Sequence, residues 1–130
     1  MRMAFPETIV AAFSVMHEMS VALSIVEAVD AKARQEGSGK ISEIALVIGR
    51  LAGIDAQSLR FCFSAAARGS LAEGCSLVIE EREAEGVCQD CGNRFSVTFL
   101  VAVCPRCQSL SVQRVSGDEF LIQSITIEEE

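Results

Sequence analysis

The sequence predicts an α+β fold: a small three-stranded sheet with two helices, and a four-cysteine ribbon module inserted before the last strand. Three observations carry that prediction. Two stretches repeat apolar residues every three or four positions, as helices do. Three shorter stretches are rich in Ile and Val and end at glycines or charges, as strands do. Two Cys-x-x-Cys pairs sit close together in the last third of the chain. Half of the 130 residues are apolar, so a core can form; with seven Phe and neither Trp nor Tyr, it must be mainly aliphatic.

From Met19 to about Gln35, Ala22, Ile25, Val26, Val29 and Ala33 fall on one face of a helix, with Glu27, Asp30, Lys32 and Arg34 elsewhere. Glu36-Gly37-Ser38-Gly39 stops it. Ile41 to Ile48 reads as a strand, and Gly49 to Gly53 as a loop. Asp55 is placed to cap a second helix from Ala56 to about Arg68, with Leu59, Phe63 and Ala66 along one side. After a turn region at Gly69–Gly74, Ser76 to Glu83 is a strand that becomes acidic. The ribbon follows over 86–117, with the apolar run Phe95 to Val103 expected to supply its strands. Asp118 to Glu128 alternates well enough to close the sheet.

Cys88 and Cys91 form the first pair, Cys104 and Cys107 the second, with twelve residues between them. Each turn aims two sulfurs at one point, and two turns close the tetrahedron that Zn²⁺ prefers, so all four are expected as ligands of a structural zinc ion. Gly92 follows the first pair, where the turn needs a residue tolerant of positive φ. Metal-bound thiolates suit a reducing cytoplasm better than three disulfides would. The remaining cysteines, Cys62 and Cys75, read as small buried hydrophobes.

The formal net charge is −7, and four thiolates on one Zn²⁺ would add about two negative units more. Nonspecific nucleic-acid binding needs clustered Lys and Arg; Arg94, Arg106 and Arg114 are too few for a phosphate track. No apolar run reaches the ~20 residues of a membrane span. The first fifteen residues are apolar, but Pro6 and Glu7 interrupt them and no Ala-x-Ala site follows, so a cytoplasmic protein is expected. There is no phosphate-cradling glycine loop and no partnered nucleophile, so an enzyme is not expected. The clusters Glu80-Glu81 with Glu83, and Glu128–Glu130, read as solvated surface.

The one histidine is His17, within Met16-His17-Glu18-Met19-Ser20. A lone histidine before a helix is ordinarily a surface residue. If Met16 is the initiator, however, the α-amine, the next amide nitrogen and the imidazole form adjacent chelate rings. Nitrogen donors in a plane favour Ni(II) or Cu(II), and Glu18 adds an oxygen.

Met16–Ser20 before a helix, Ile48-Gly49-Arg50-Leu51 before Asp55, Phe61-Cys62-Phe63, Gly69–Cys75 and the paired cysteines occur together and in order. In this the chain resembles the HypA/HybF family of hydrogenase-maturation nickel metallochaperones, from Met16 to about Ile127. The resemblance implies a carrier that takes up Ni²⁺ and helps insert it into the large subunit of [NiFe] hydrogenase, together with a maturation GTPase; some members serve urease maturation. It implies nickel binding by His17, with Glu18 and Asp55 as further ligands, and structural zinc at Cys88, Cys91, Cys104 and Cys107. It divides the chain into a nickel-binding α/β domain, 16–85 with 118–130, and a zinc-binding domain, 86–117. The other readings of the same residues are a zinc-ribbon adaptor or nucleic-acid-binding module, and a Cys-x-x-Cys redox enzyme.

The chain departs from the family at its start. Residues 1–15 read as an extension outside the family domain that the fold does not need, with an upstream start assigned in error as the simplest account. If they are present, the amine leaves the site and nickel affinity falls.

Overall fold

A computed structural model describes residues 1–8, 18–98 and 101–128. Along the chain the elements are β1 (Arg2–Thr8), α1 (Glu18–Gln35), β2 (Ile41–Gly49), α2 (Ala56–Ala66) and β3 (Ser76–Arg82). They continue with β4 (Glu85–Cys88), β5 (Arg94–Ser96), β6 (Val112–Ser116) and β7 (Phe120–Ile127).

The apolar stripe on α1 is buried as its spacing predicts: Val21, Ala22, Ile25, Val26, Val29 and Ala33 all face the core. A Schellman turn ends the helix. Gly37 takes φ 114°, and the Ser38 N–H returns to the Ala33 carbonyl at 2.8 Å. On α2, Leu59 and Phe63 are the buried pair, and Asp55 caps the first turn. Asp30 ties α1 to the turn that follows α2 by accepting the Leu71 N–H at 2.8 Å. That bond, with Arg34 beside it, holds the Asp30 carboxyl below the usual range.

The main sheet has the order β1-β7-β2-β3, with β2 and β3 parallel and the other neighbours antiparallel. The three expected strands are β2, β3 and β7. The segment Arg2–Thr8, read from sequence as dispensable to the fold, adds a fourth strand at the edge. Only Met3 and Phe5 alternate before Pro6 breaks the pattern, which is too short a run to read as a strand. An edge strand nonetheless tolerates a proline, and the pairing shifts register between Ala4 and Glu7. Phe5 is buried in the core and Met3 packs against it.

The second sheet is the ribbon, in the order β5-β4-β6. Among the described residues of the Phe95–Val103 run, only its start lies in a strand, and the third strand is Val112–Ser116. The Cys104 turn redirects the chain before that run can return to β4, and Val101 and Val103 remain exposed. The expected boundaries at Arg68, Glu83 and Asp118 contract to Ala66, Arg82 and Phe120.

Because β2 and β3 are parallel, the helices leading into them run the same way. The starts of α1 and α2 therefore share the end of the sheet where β2 finishes at Gly49. The ribbon joins at that end. Val97 donates to the Ala84 carbonyl at 2.9 Å and Leu51 to the Gly117 carbonyl at 2.8 Å, while Ser116 Oγ bridges Glu83 and Glu85. Gly49 lies directly against Gly117: a Cβ there would come within 2.1 Å of the Gly117 carbonyl oxygen. Gly49→Ala should therefore cost ~3 kcal/mol or more, since backbone on both sides must move. Urea unfolding measures this, and a change within ~0.5 kcal/mol would contradict the contact.

Candidate metal centre

The four cysteines converge. Among the described residues they form the one cluster of metal-ligating side chains, with all four Sγ atoms within 4.8 Å of one another. Two turns of the same design build it. In the first, Cys88 N–H donates to Asn93 O at 2.9 Å and Gly92 N–H to Cys88 O at 2.9 Å. In the second, Cys104 N–H donates to Ser109 O at 2.9 Å and Gln108 N–H to Cys104 O at 2.8 Å. Gly92 has φ 76°, as its position after the pair predicts, and Gln108 holds the matching place at φ 66°. The sequence carries no signal for the second, because a glutamine does not advertise a left-handed residue.

The sulfurs approach in cross-pairs: Cys88 to Cys107 at 3.5 Å and Cys91 to Cys104 at 3.6 Å. A tetrahedron with metal–sulfur bonds of ~2.3 Å has edges of ~3.8 Å, so the cage fits a dication of zinc's size and preference. Backbone N–H groups turn inward, as Cys91 N–H does to Cys88 Sγ at 3.4 Å, and Asn93 Nδ2 lies 3.9 Å from Cys104 Sγ.

These contacts divide the thiols into two kinds. The Cys91 N–H lowers the Cys88 pKa, which falls below its ordinary value despite desolvation. Burial opposes the Cys104 thiolate, yet the N–H groups of Cys107 and Arg106, with the neighbouring thiols, bring it down to about 6. The Asn93 N–H favours the Cys91 thiolate, as does Cys107, but desolvation with Cys104 and Cys88 raises it overall. The Ser109 N–H likewise favours the Cys107 thiolate, while Cys88, desolvation and the other two sulfurs push it up to about 12. Without a cation, four thiolates this close cannot all stay charged; a dication removes the conflict.

The other predicted residues lie elsewhere. His17 and Met16 fall outside the described residues. Glu18 opens α1, where the helix dipole favours an acid. Asp55 accepts the Gln57 N–H at 2.9 Å and the Ser58 N–H at 3.2 Å, both on Oδ1, so Oδ2 takes no part in the cap. Glu18 and Asp55 thus stand at the same end of the sheet, which the ribbon also joins. The Met1 amine lies at the opposite end, donating to the Ile127 carbonyl, and Ile127 pairs with Ile41 beyond the end of α1. An 18-residue helix spans ~27 Å, so this amine is a helix length from Glu18.

Cys62 and Cys75 are half-buried against the core, less enclosed than their apolar neighbours suggested. Burial pushes the Cys75 thiol up to about 11 and leaves it unreactive. The acidic strand is exposed, with Arg50 bonded to Glu83 at 2.7 Å and Arg82 to Glu80 at 2.8 Å; ion pairs this open contribute little to stability. No described helix is long and apolar enough to cross a membrane.

A family profile described as hydrogenase/urease nickel incorporation, metallochaperone, hypA matches residues 16–127. A protein named hydrogenase maturation factor HypA from Chlorobium limicola is 68% identical over 114 residues, 88% of this chain and 98% of its own. Another of that name from Chlorobaculum tepidum is 58% identical over 113 residues, 87% of this chain and all of its own. The solution structure of the Ni metallochaperone HypA from Helicobacter pylori superposes with a TM-score of 0.61 at 27% identity, covering 88% of this chain and 100% of that one. A matching profile over most of the chain, close relatives of equal span and the same architecture agree: this chain belongs to the HypA family of hydrogenase and urease nickel-incorporation metallochaperones.

Proposed function

We propose that this chain carries Ni²⁺ for maturation of a [NiFe] hydrogenase and passes it, with a GTPase partner, to the hydrogenase large subunit. Zinc in the cysteine cage holds the ribbon folded. The observation that carries this reading is where the family match begins: at Met16, one residue before the chain's single histidine. With Met16 first, its amine, the His17 amide and the imidazole form a planar nitrogen chelate, to which Glu18 and Asp55 Oδ2 add oxygen. Such a site stays open on one side and can release its ion. The sulfur cage is closed, and its ion contributes to folding. Binding is the whole task, with no substrate turned over. Urease maturation proteins are further candidate recipients, and the proposed site of action is the cytoplasm.

In the chain carrying residues 1–15 the Met1 amine is held at Ile127, so it cannot complete the chelate. Nickel titration should give one tight site in the chain starting at Met16, weaker binding in the full chain, and near-complete loss with His17→Ala. Equal affinity in all three would refute the chelate. Asp55→Asn keeps a capping oxygen and should leave unfolding unchanged while weakening nickel binding; unchanged affinity would leave Asp55 as a cap alone.

Zinc loading has its own signature. Cys91 and Cys107 are raised and so hold protons at pH 7.5, whereas Cys104, brought down to about 6, is already a thiolate there. Loading should therefore release at least two protons at that pH. Affinity should fall on acidification, more steeply once Cys104 protonates near pH 6. Calorimetry in buffers of different ionisation enthalpy counts the protons, and a count of zero would exclude an all-thiolate cage.

A further inference from the structure

We propose that residues 2–8 are an edge-closing strand that keeps β7 from pairing with β7 of a second copy of this chain. The inference is independent of nickel and zinc binding. It rests on how charge and proline are distributed over the sheet. Over Phe120–Ile127, β7 has no charged residue and no proline, and Ile122, Ile125 and Ile127 are buried. That is the composition of an inner strand. The strands at the two edges carry the features that discourage further pairing: Glu80, Glu81 and Arg82 on β3, and Arg2, Pro6, Glu7 and a register shift on β1.

The closing strand is well seated. Met1 and Ile127 exchange backbone hydrogen bonds, Arg2 Nε donates to Ser124 Oγ at 3.2 Å, and Phe5 is buried in the core cluster that it shares with α1. Yet β1 lies outside the family span, which starts at residue 16, and 114 of the 130 residues suffice to match 98% of the Chlorobium limicola relative. A chain beginning at Met16 therefore leaves the outer edge of β7 bare. That edge accepts a strand in the antiparallel sense, as its pairing with β1 demonstrates. Two copies of β7 related by a two-fold axis meet in the same sense, with the middle of the strand beside itself. Each copy carries a net charge of −7, so added salt should strengthen the pairing by screening repulsion.

Gel filtration with light scattering, on the full chain, the full chain with Phe5→Asp, the chain from Met16, and the last with Gln123→Lys, tests this. Phe5→Asp unseats β1 without removing it. Gln123 is exposed, so lysine there is tolerated, but across a two-fold axis it would lie near its own copy. The full chain should run as a monomer. Phe5→Asp and the Met16 chain should double in mass as concentration rises, and Gln123→Lys should return the Met16 chain to a monomer. A peptide of residues 1–8 should compete with the pairing. A dimeric full chain, opened chains that stay monomeric with native circular dichroism, or pairing that survives Gln123→Lys would each overturn the proposal. Unfolding of both opened chains would overturn it too, by placing the role of the strand in folding.

Discussion

The ribbon is an insertion, so its entrance and exit must meet, and they meet at the contact of Gly49, Ala84 and Gly117. The chain leaves the main sheet after β3, builds the ribbon, and must return to lie between β1 and β2. Only an exit directly over the end of β2 allows β7 to enter that slot. Gly49 and Gly117 permit the approach because neither carries a Cβ. Ala84, buried and with its carbonyl bonded to Val97, closes the other side. Hydrogen bonds between the two crossing segments then hold the ribbon at the end of the sheet where both helices begin.

That placement gives the molecule a direction. At one end stand the start of α1, the Asp55 cap and the ribbon junction. At the other stand the end of α1, the last residues of β7 and the Met1 amine. Parallel β2 and β3 impose this arrangement, since each is entered from a helix that must run back along the sheet. Glu18 and Asp55, the oxygen donors proposed for nickel, therefore stand at the end where the ribbon is fastened. Hard oxygen and nitrogen donors hold a cargo ion loosely enough to surrender it, whereas four thiolates do not.

The four cysteines, both helices and three strands of the main sheet were legible because each leaves a local trace: a fixed spacing, a stripe of apolar residues, a run of β-branched side chains. The Asp55 cap was legible for the same reason. β1 was not, because two alternating apolar residues before a proline make no pattern; its stability comes from Phe5 in the core cluster and from backbone bonds to a strand more than a hundred residues away. The Phe95–Val103 run, expected to supply the ribbon's strands, supplies β5, while β6 at Val112–Ser116 was not read, because apolar content cannot reveal that the Cys104 turn redirects the chain.

The four-sulfur centre, the two amphipathic helices and the family are readable from the residues in order, since spacing and periodicity are properties of the chain alone. It took folding to show that residues 2–8 complete the sheet, that Gln108 mirrors Gly92 in a left-handed turn, and that the ribbon is fastened beside the helix starts. The reason is physical. Those features arise from contacts between residues far apart in sequence, where close approach and pairing register select among conformations that local propensity leaves equally open.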